Sequence, residues 1–118
     1  WENNDICIRV INNGGSVFIV PKAKIKHLGA KAVDPKFFKE IELSRNWHWM
    51  WSTFNYHRKY KGFFISFLIV LPKLISAIIK VLIYSLIFNK EKKKIYYQRL
   101  SGLINAIMGK SSWYRPKV

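Results

Sequence analysis

The chain has 118 residues, half of them hydrophobic, with 21 Lys and Arg against 6 Asp and Glu for a formal net charge of +15. That length has room for one small domain at most. A single cysteine, Cys7, excludes an internal disulfide framework and a cysteine-built zinc site. Excess positive charge points to an anionic partner, either nucleic acid or the anionic leaflet of a membrane. The apolar residues favour the membrane because they are concentrated: from Gly62 to Phe88 the only charges are Lys73 and Lys80. One thiol fits a reducing compartment such as the bacterial cytoplasm. The sequence starts at Trp1 without an initiator Met or a signal-peptide pattern, and reads as a piece of a longer protein.

In chain order, Asn3 to Asn13 is expected to be a short helix, with Ile6, Cys7, Val10 and Ile11 at helical spacing on one face. Gly14 and Gly15 supply its left-handed stop. The β-branched run Ser16 to Val20 predicts a buried strand, interrupted by Pro21 and continued from Ala23 to Leu28. Asp34-Pro35 is a helix start of cap and first-turn proline. A helical connector, 35–61, follows, with a break expected near Ser44 to Asn46. Its segment Trp47-His48-Trp49-Met50-Trp51 is aromatic all round, which requires burial in protein or a place at a lipid interface.

Gly62 opens the apolar segment, 62–89, which is long enough to span a bilayer core of roughly 30 Å. Pro72 is expected to kink it, and Lys73 and Lys80, seven apart, share one face. Basic residues flank both ends: Arg58, Lys59 and Lys61 before, Lys90, Lys92, Lys93 and Lys94 after. A single crossing concentrates positive charge on its cytoplasmic side. Two basic flanks fit helices lying in the interface, or a shallow re-entrant hairpin, better than a full crossing. Residues 90–118 form a basic amphipathic helix ending near Gly109, striped by Ile95, Leu100, Leu103, Ile104 and Ile107, and then an aromatic, basic tail.

The residues suited to chemistry lie mostly in the first 29. They are the acidic Glu2 and Asp5, Arg9, the glycine pair and His27. Glycosyl transfer needs a carboxylate base at the acceptor hydroxyl and a cation, which an imidazole can help to hold, against the departing diphosphate. Each part also has a plainer role. Acidic residues favour a helix start, Asp5 and Arg9 have the spacing of an (i, i+4) ion pair, and a lone histidine at a strand end is commonly structural. Trp47, His48 and His57 are open to the same double reading, as donor or acceptor contacts or as interfacial packing.

The stretch WENNDICIRVINNGGSVFIVPKAKIKHLGAKAVD resembles the late part of the GT-A domain in bacterial family 2 glycosyltransferases. The likeness is carried by Trp1, Glu2, Asn3, Asp5, Ile6, Arg9, the Gly14-Gly15 turn, Val17 to Val20, Pro21, Ala23, His27 and Gly29. It continues more weakly through Arg45 to Gly62 and at Arg99, Gly102, Gly109, Arg115 and Pro116. The resemblance implies an α/β fragment: a helix and short strands closing a GT-A catalytic domain (1–34), followed by mainly helical, membrane-associated structure.

It further implies an inverting transfer from a nucleotide-sugar donor to a cell-envelope glycan or lipid-linked acceptor, at the cytoplasmic face of the bacterial inner membrane. By position, His27 would complete a site for a divalent metal, Mn or Mg. Asp5 would organise the acceptor side or the helix start. Beside the resemblance, Arg9, Trp47 and His48 are the candidates for contacts with substrate. The second position of the usual acidic pair, often the catalytic base, is Asn3 here, so the base would be Glu2 or, failing that, Asp5. The metal-binding aspartates and the nucleotide-binding strands would lie upstream of Trp1, so this piece by itself would not turn over substrate. Two rivals stand beside this reading: a non-enzymatic basic protein of the membrane surface and, more remotely, a nucleic-acid-binding module.

Overall fold

A computed structural model describes residues 1–26 and 34–116. It divides into two units, Trp1–Asp34 and Pro35–Val118.

In the first unit, α1 spans Glu2–Asn12. It ends where Gly14 takes a positive φ of 77°, and the Gly14 and Gly15 amides close back onto the carbonyls of Ile11 and Val10. Ile6, Val10 and Ile11 align as expected, and none of the helix's residues is buried within the unit.

The expected α/β architecture is not found. Ser16 to Val20 and Ala23 to Lys26 form no strand, and no strand occurs among the described residues. The chain turns at Pro21-Lys22, and Phe18, Ile19 and Ile25 stand in the open. A β-branched run encodes only the capacity to pair. Its N–H and C=O groups need a neighbouring strand, and the described residues of this unit supply none.

The second unit is helical. A 3-10 turn, Pro35–Phe37, leads into α2, Phe38–Leu86, and α3 spans Lys90–Ile107. Helix α2 is two arms joined at Gly62, whose φ of 74° and ψ of 176° leave the helical region. The break expected near Ser44 to Asn46 is absent, since those residues are helical. Pro72 does not interrupt the second arm, which remains helical through it. Reversal at Gly62 folds the second arm (63–86) back along the first (38–61). Met50, Phe54, Val70, Leu103 and Ala106 make one core, bordered by Trp51, Phe67, Leu74 and Ile107.

Contacts fix the directions of the three rods. Lys39 pairs with Glu91 at 3.0 Å, and the Trp47 indole donates to Ser101 Oγ at 3.2 Å, so α3 runs parallel to the first arm. Tyr84 stacks on Tyr96, near the start of α3, whereas Phe67 sits against the core beside Ile107 at its end. The second arm therefore runs against α3. The turn between them places Phe88 at φ 55°, and Asn89 Oδ1 accepts from the Lys92 amide to cap α3. The result is a three-rod bundle with the second arm packed along its whole length.

Candidate functional site

Glu2, Asp5 and Arg9 all lie on α1. Asp5 is bound by Arg9 at 3.0 Å, the ion pair that their spacing predicts. Glu2 is exposed and accepts from the N-terminal ammonium at 3.0 Å. Its carboxyl is held below the usual range, first by the hydrogen bond from its own backbone amide and then by that ammonium. His27 lies outside the described residues. Among the described residues no three His, Cys, Asp or Glu side chains gather as a metal-binding set.

Trp47 and His48 come together in the bundle, where they hold the C-terminal tail. Trp47 is fully buried; its ring stacks on Tyr114 and meets Trp113 edge-on. His48 bonds through both ring nitrogens, Nε2 to the Tyr114 carbonyl at 2.9 Å and Nδ1 to Ser112 Oγ at 3.1 Å. The Trp51 indole donates to the Lys110 carbonyl at 3.0 Å, and Trp113 donates to Asn105 Oδ1. The indole of Trp47 thus packs protein against protein, and both nitrogens of His48 are spent on the tail.

The second arm of α2 carries the surface that stands out chemically. Its fully buried residues are of modest size, Ser66 and Val70 at 0% exposed and Ala77 at 2%, with Phe67 and Leu74 packed beside them against the core. Its large apolar residues face outward, with Phe64 83%, Leu68 66% and Leu86 77% exposed, and Ile75, Ile79 and Leu82 about half so. Lys80 borders an apolar groove on that face. Lys80 Nζ sits 4.8 Å from the centre of the Tyr96 ring, and Lys73 lines a cavity between α2 and α3. By length and composition Pro35–Leu86 is apolar enough to cross a membrane. The second arm, however, is flanked throughout by the charged first arm and α3.

Sequence reasoning placed Lys73 and Lys80 on one face but did not find what they face. The cavity holding Lys73 measures about 300 Å³ and is also lined by Arg99, Tyr96 and Trp49. Arg99 Nε donates to Asn46 Oδ1 at 2.7 Å, and its guanidinium lies 5.2 Å from the centre of the Tyr96 ring. Charged residues near the middle of an otherwise apolar segment were the available signal. Their partners on α3 are too distant in sequence for local periodicity to reveal.

No family model matches the chain, and neither does any curated protein or solved structure.

Proposed function

We propose that the helical unit seats its chain on an anionic membrane surface, lying along the bilayer with the outer face of the second arm of α2 in the lipid. The observation that carries this reading is the run of large apolar residues left outside on that arm, Phe64, Leu68, Leu82 and Leu86, while its fully buried positions are Ser66, Val70 and Ala77 and only Phe67 and Leu74 border the core. In water large apolar side chains go inward; against lipid, small residues make the helix contacts and large ones meet the acyl chains. The arm's companions favour lying flat over crossing. A transverse arm would carry Lys39, Glu40, Glu42 and Arg45 of the first arm, with the basic start of α3, into hydrocarbon. Basic residues at both ends, Lys59 and Lys61 at one and Lys90 and Lys92 to Lys94 at the other, would meet anionic headgroups, at about 1 kcal/mol each.

Vesicle sedimentation tests this. The chain is expected to bind phosphatidylglycerol-rich vesicles, and the exposed pair Ile75→Asp and Ile79→Asp to lose that binding while keeping its helical circular dichroism. Removing two side chains worth about 1.5–3 kcal/mol each from lipid predicts a loss of at least about 100-fold. A wild-type chain that ignores vesicles and sediments as a dimer through this face would overturn the reading.

For the activity so seated, the support is the resemblance of the first 29 residues to family 2 glycosyltransferases. The proposal is inverting sugar transfer from a nucleotide-sugar donor to a glycan or lipid-linked acceptor, with a divalent metal held in part by His27. In the intact enzyme Glu2→Gln is expected to lower kcat by at least about 100-fold. Near-normal turnover in Glu2→Gln, with loss in Asp5→Asn, would move the base to Asp5.

A further inference from the structure

The cavity lined by Lys73 and Arg99 opens onto the outward apolar face. Pro72 and Ser76 line both this cavity and a groove of about 520 Å³ formed by Leu71, Ile75, Ile79 and Ile83, with Lys80 at its wall. These four apolar residues recur every fourth position, so the groove follows one stripe of the arm for about 18 Å. On its far side the cavity shares Arg99 and Trp49 with a polar cleft holding Arg45, Asn46 and Glu42. Across the bundle the surface therefore passes from hydrocarbon-like, through a pocket with two cations, to water-facing polar groups. Among the described residues no carboxylate lines the middle pocket.

We propose that this pocket is a specific site for the phosphate of an anionic lipid, with one acyl chain of that lipid lying along the Leu71–Ile75–Ile79–Ile83 stripe. The inference rests on the membrane-seating reading and adds a ligand to it. Arg99 is pre-oriented by Asn46 at 2.7 Å and by the Tyr96 ring, so its guanidinium fork is held rigid for two phosphate oxygens. Lys73 adds a point charge to the same pocket, and Ser76 brings a hydroxyl donor. Two cations in one partly enclosed pocket favour a dianionic phosphate monoester over a singly charged diester. The apolar groove beginning at the pocket's rim favours a phosphate that carries a hydrocarbon chain over a free one.

The test compares two vesicle populations of matched surface potential, one doped with phosphatidic acid and the other with phosphatidylglycerol. Wild-type chain is expected to bind the phosphatidic acid vesicles at least about tenfold more tightly. Lys73→Gln is expected to erase that preference. Lys93→Gln, which removes the same charge from the exposed start of α3, is expected to weaken both populations equally and leave the preference intact. Arg99→Lys keeps the charge but loses the fork, and is expected to reduce the preference with circular dichroism unchanged. Inorganic phosphate at millimolar concentration is expected not to compete. Equal wild-type binding to the two populations would overturn the lipid-phosphate site and leave membrane seating standing. Binding to neither would remove the seating reading itself. Full competition by inorganic phosphate would reduce the site to a simple anion pocket and overturn the lipid occupant.

Discussion

The α-carbon of Gly102 lies directly against the backbone carbonyl of Trp47, with no space for a side chain between them. Here α3 comes close to the first arm of α2, and Leu103 and Ala106 beside it enter the core. In an open helix Gly→Ala gains about 1 kcal/mol from propensity. At this contact a methyl group would meet backbone, which cannot swing aside, so the two helices must part. Overpacking of this kind costs about 1–3 kcal/mol. Gly102→Ala is therefore expected to destabilise the bundle on balance and to lower its thermal midpoint by several degrees, read by circular dichroism.

Gly62 fails for a different reason. A Cβ there would touch nothing, so sterics outside the residue permit a side chain. Its dihedrals, φ 74° and ψ 176°, lie in a region essentially reserved for glycine. Gly62→Ala is expected to cost about 1–3 kcal/mol, or to straighten α2 and undo the packing of Phe54 on Phe63. Chemical denaturation gives the size of the loss. A rise in light scattering would mark the straightened form, because opening the hairpin uncovers Val70 and Phe54.

The pattern of successes in the sequence follows the range of the forces involved. Gly109 and the apolar stripe marked α3 because stop signals and periodicity are local; Gly62 was recognised as the start of the apolar segment for the same reason. Asp5 and Arg9 paired as their four-residue spacing requires. The strand at Ser16 to Val20 failed because the signal for a strand is indifferent to whether a partner exists. Trp47 and His48 read as substrate contacts because an aromatic helix looks alike from every side until the tail that covers it is known. That tail is 66 residues away from His48 at Tyr114. Separation in sequence likewise hid that Lys73 and Arg99 line one cavity, although the shared face of Lys73 and Lys80 was visible from their spacing.

His57 makes the bundle sensitive to acid. Its imidazole is held below the ordinary histidine value, chiefly by desolvation and then by the positive charges of Lys61 and Lys73. A base with a depressed pKa binds fewer protons folded than unfolded, so stability falls as the pH drops below about 6.5, the unfolded value. The thermal midpoint is expected to decline through that range in the wild type, with a shallower decline in His57→Gln. Lys73→Gln is expected to move the imidazole's own titration, followed by NMR, back towards the ordinary value. An unshifted titration would remove His57 from the account.

The tail offers the most direct test of what Trp47 and His48 do. A carbonyl oxygen can only accept, so Nε2 of His48 carries a proton to bond Tyr114, while Nδ1 meets the Ser112 hydroxyl. His48→Ala removes both bonds, worth together about 1–3 kcal/mol, but leaves the Trp47 ring against Trp113 and Tyr114. Trp47→Ala empties the interior at a fully buried position, which costs about 3–5 kcal/mol. The two variants should therefore separate. His48→Ala is expected to release the tail, with faster tryptic cleavage after Lys110 and lost amide protection from Ser112 to Tyr114, while the bundle's thermal midpoint moves only modestly. Trp47→Ala is expected to lower the midpoint of the whole unit. If His48→Ala left the tail as protected as before and instead changed only sugar transfer in the intact enzyme, its ring would belong to substrate recognition, the other half of its double reading in the sequence.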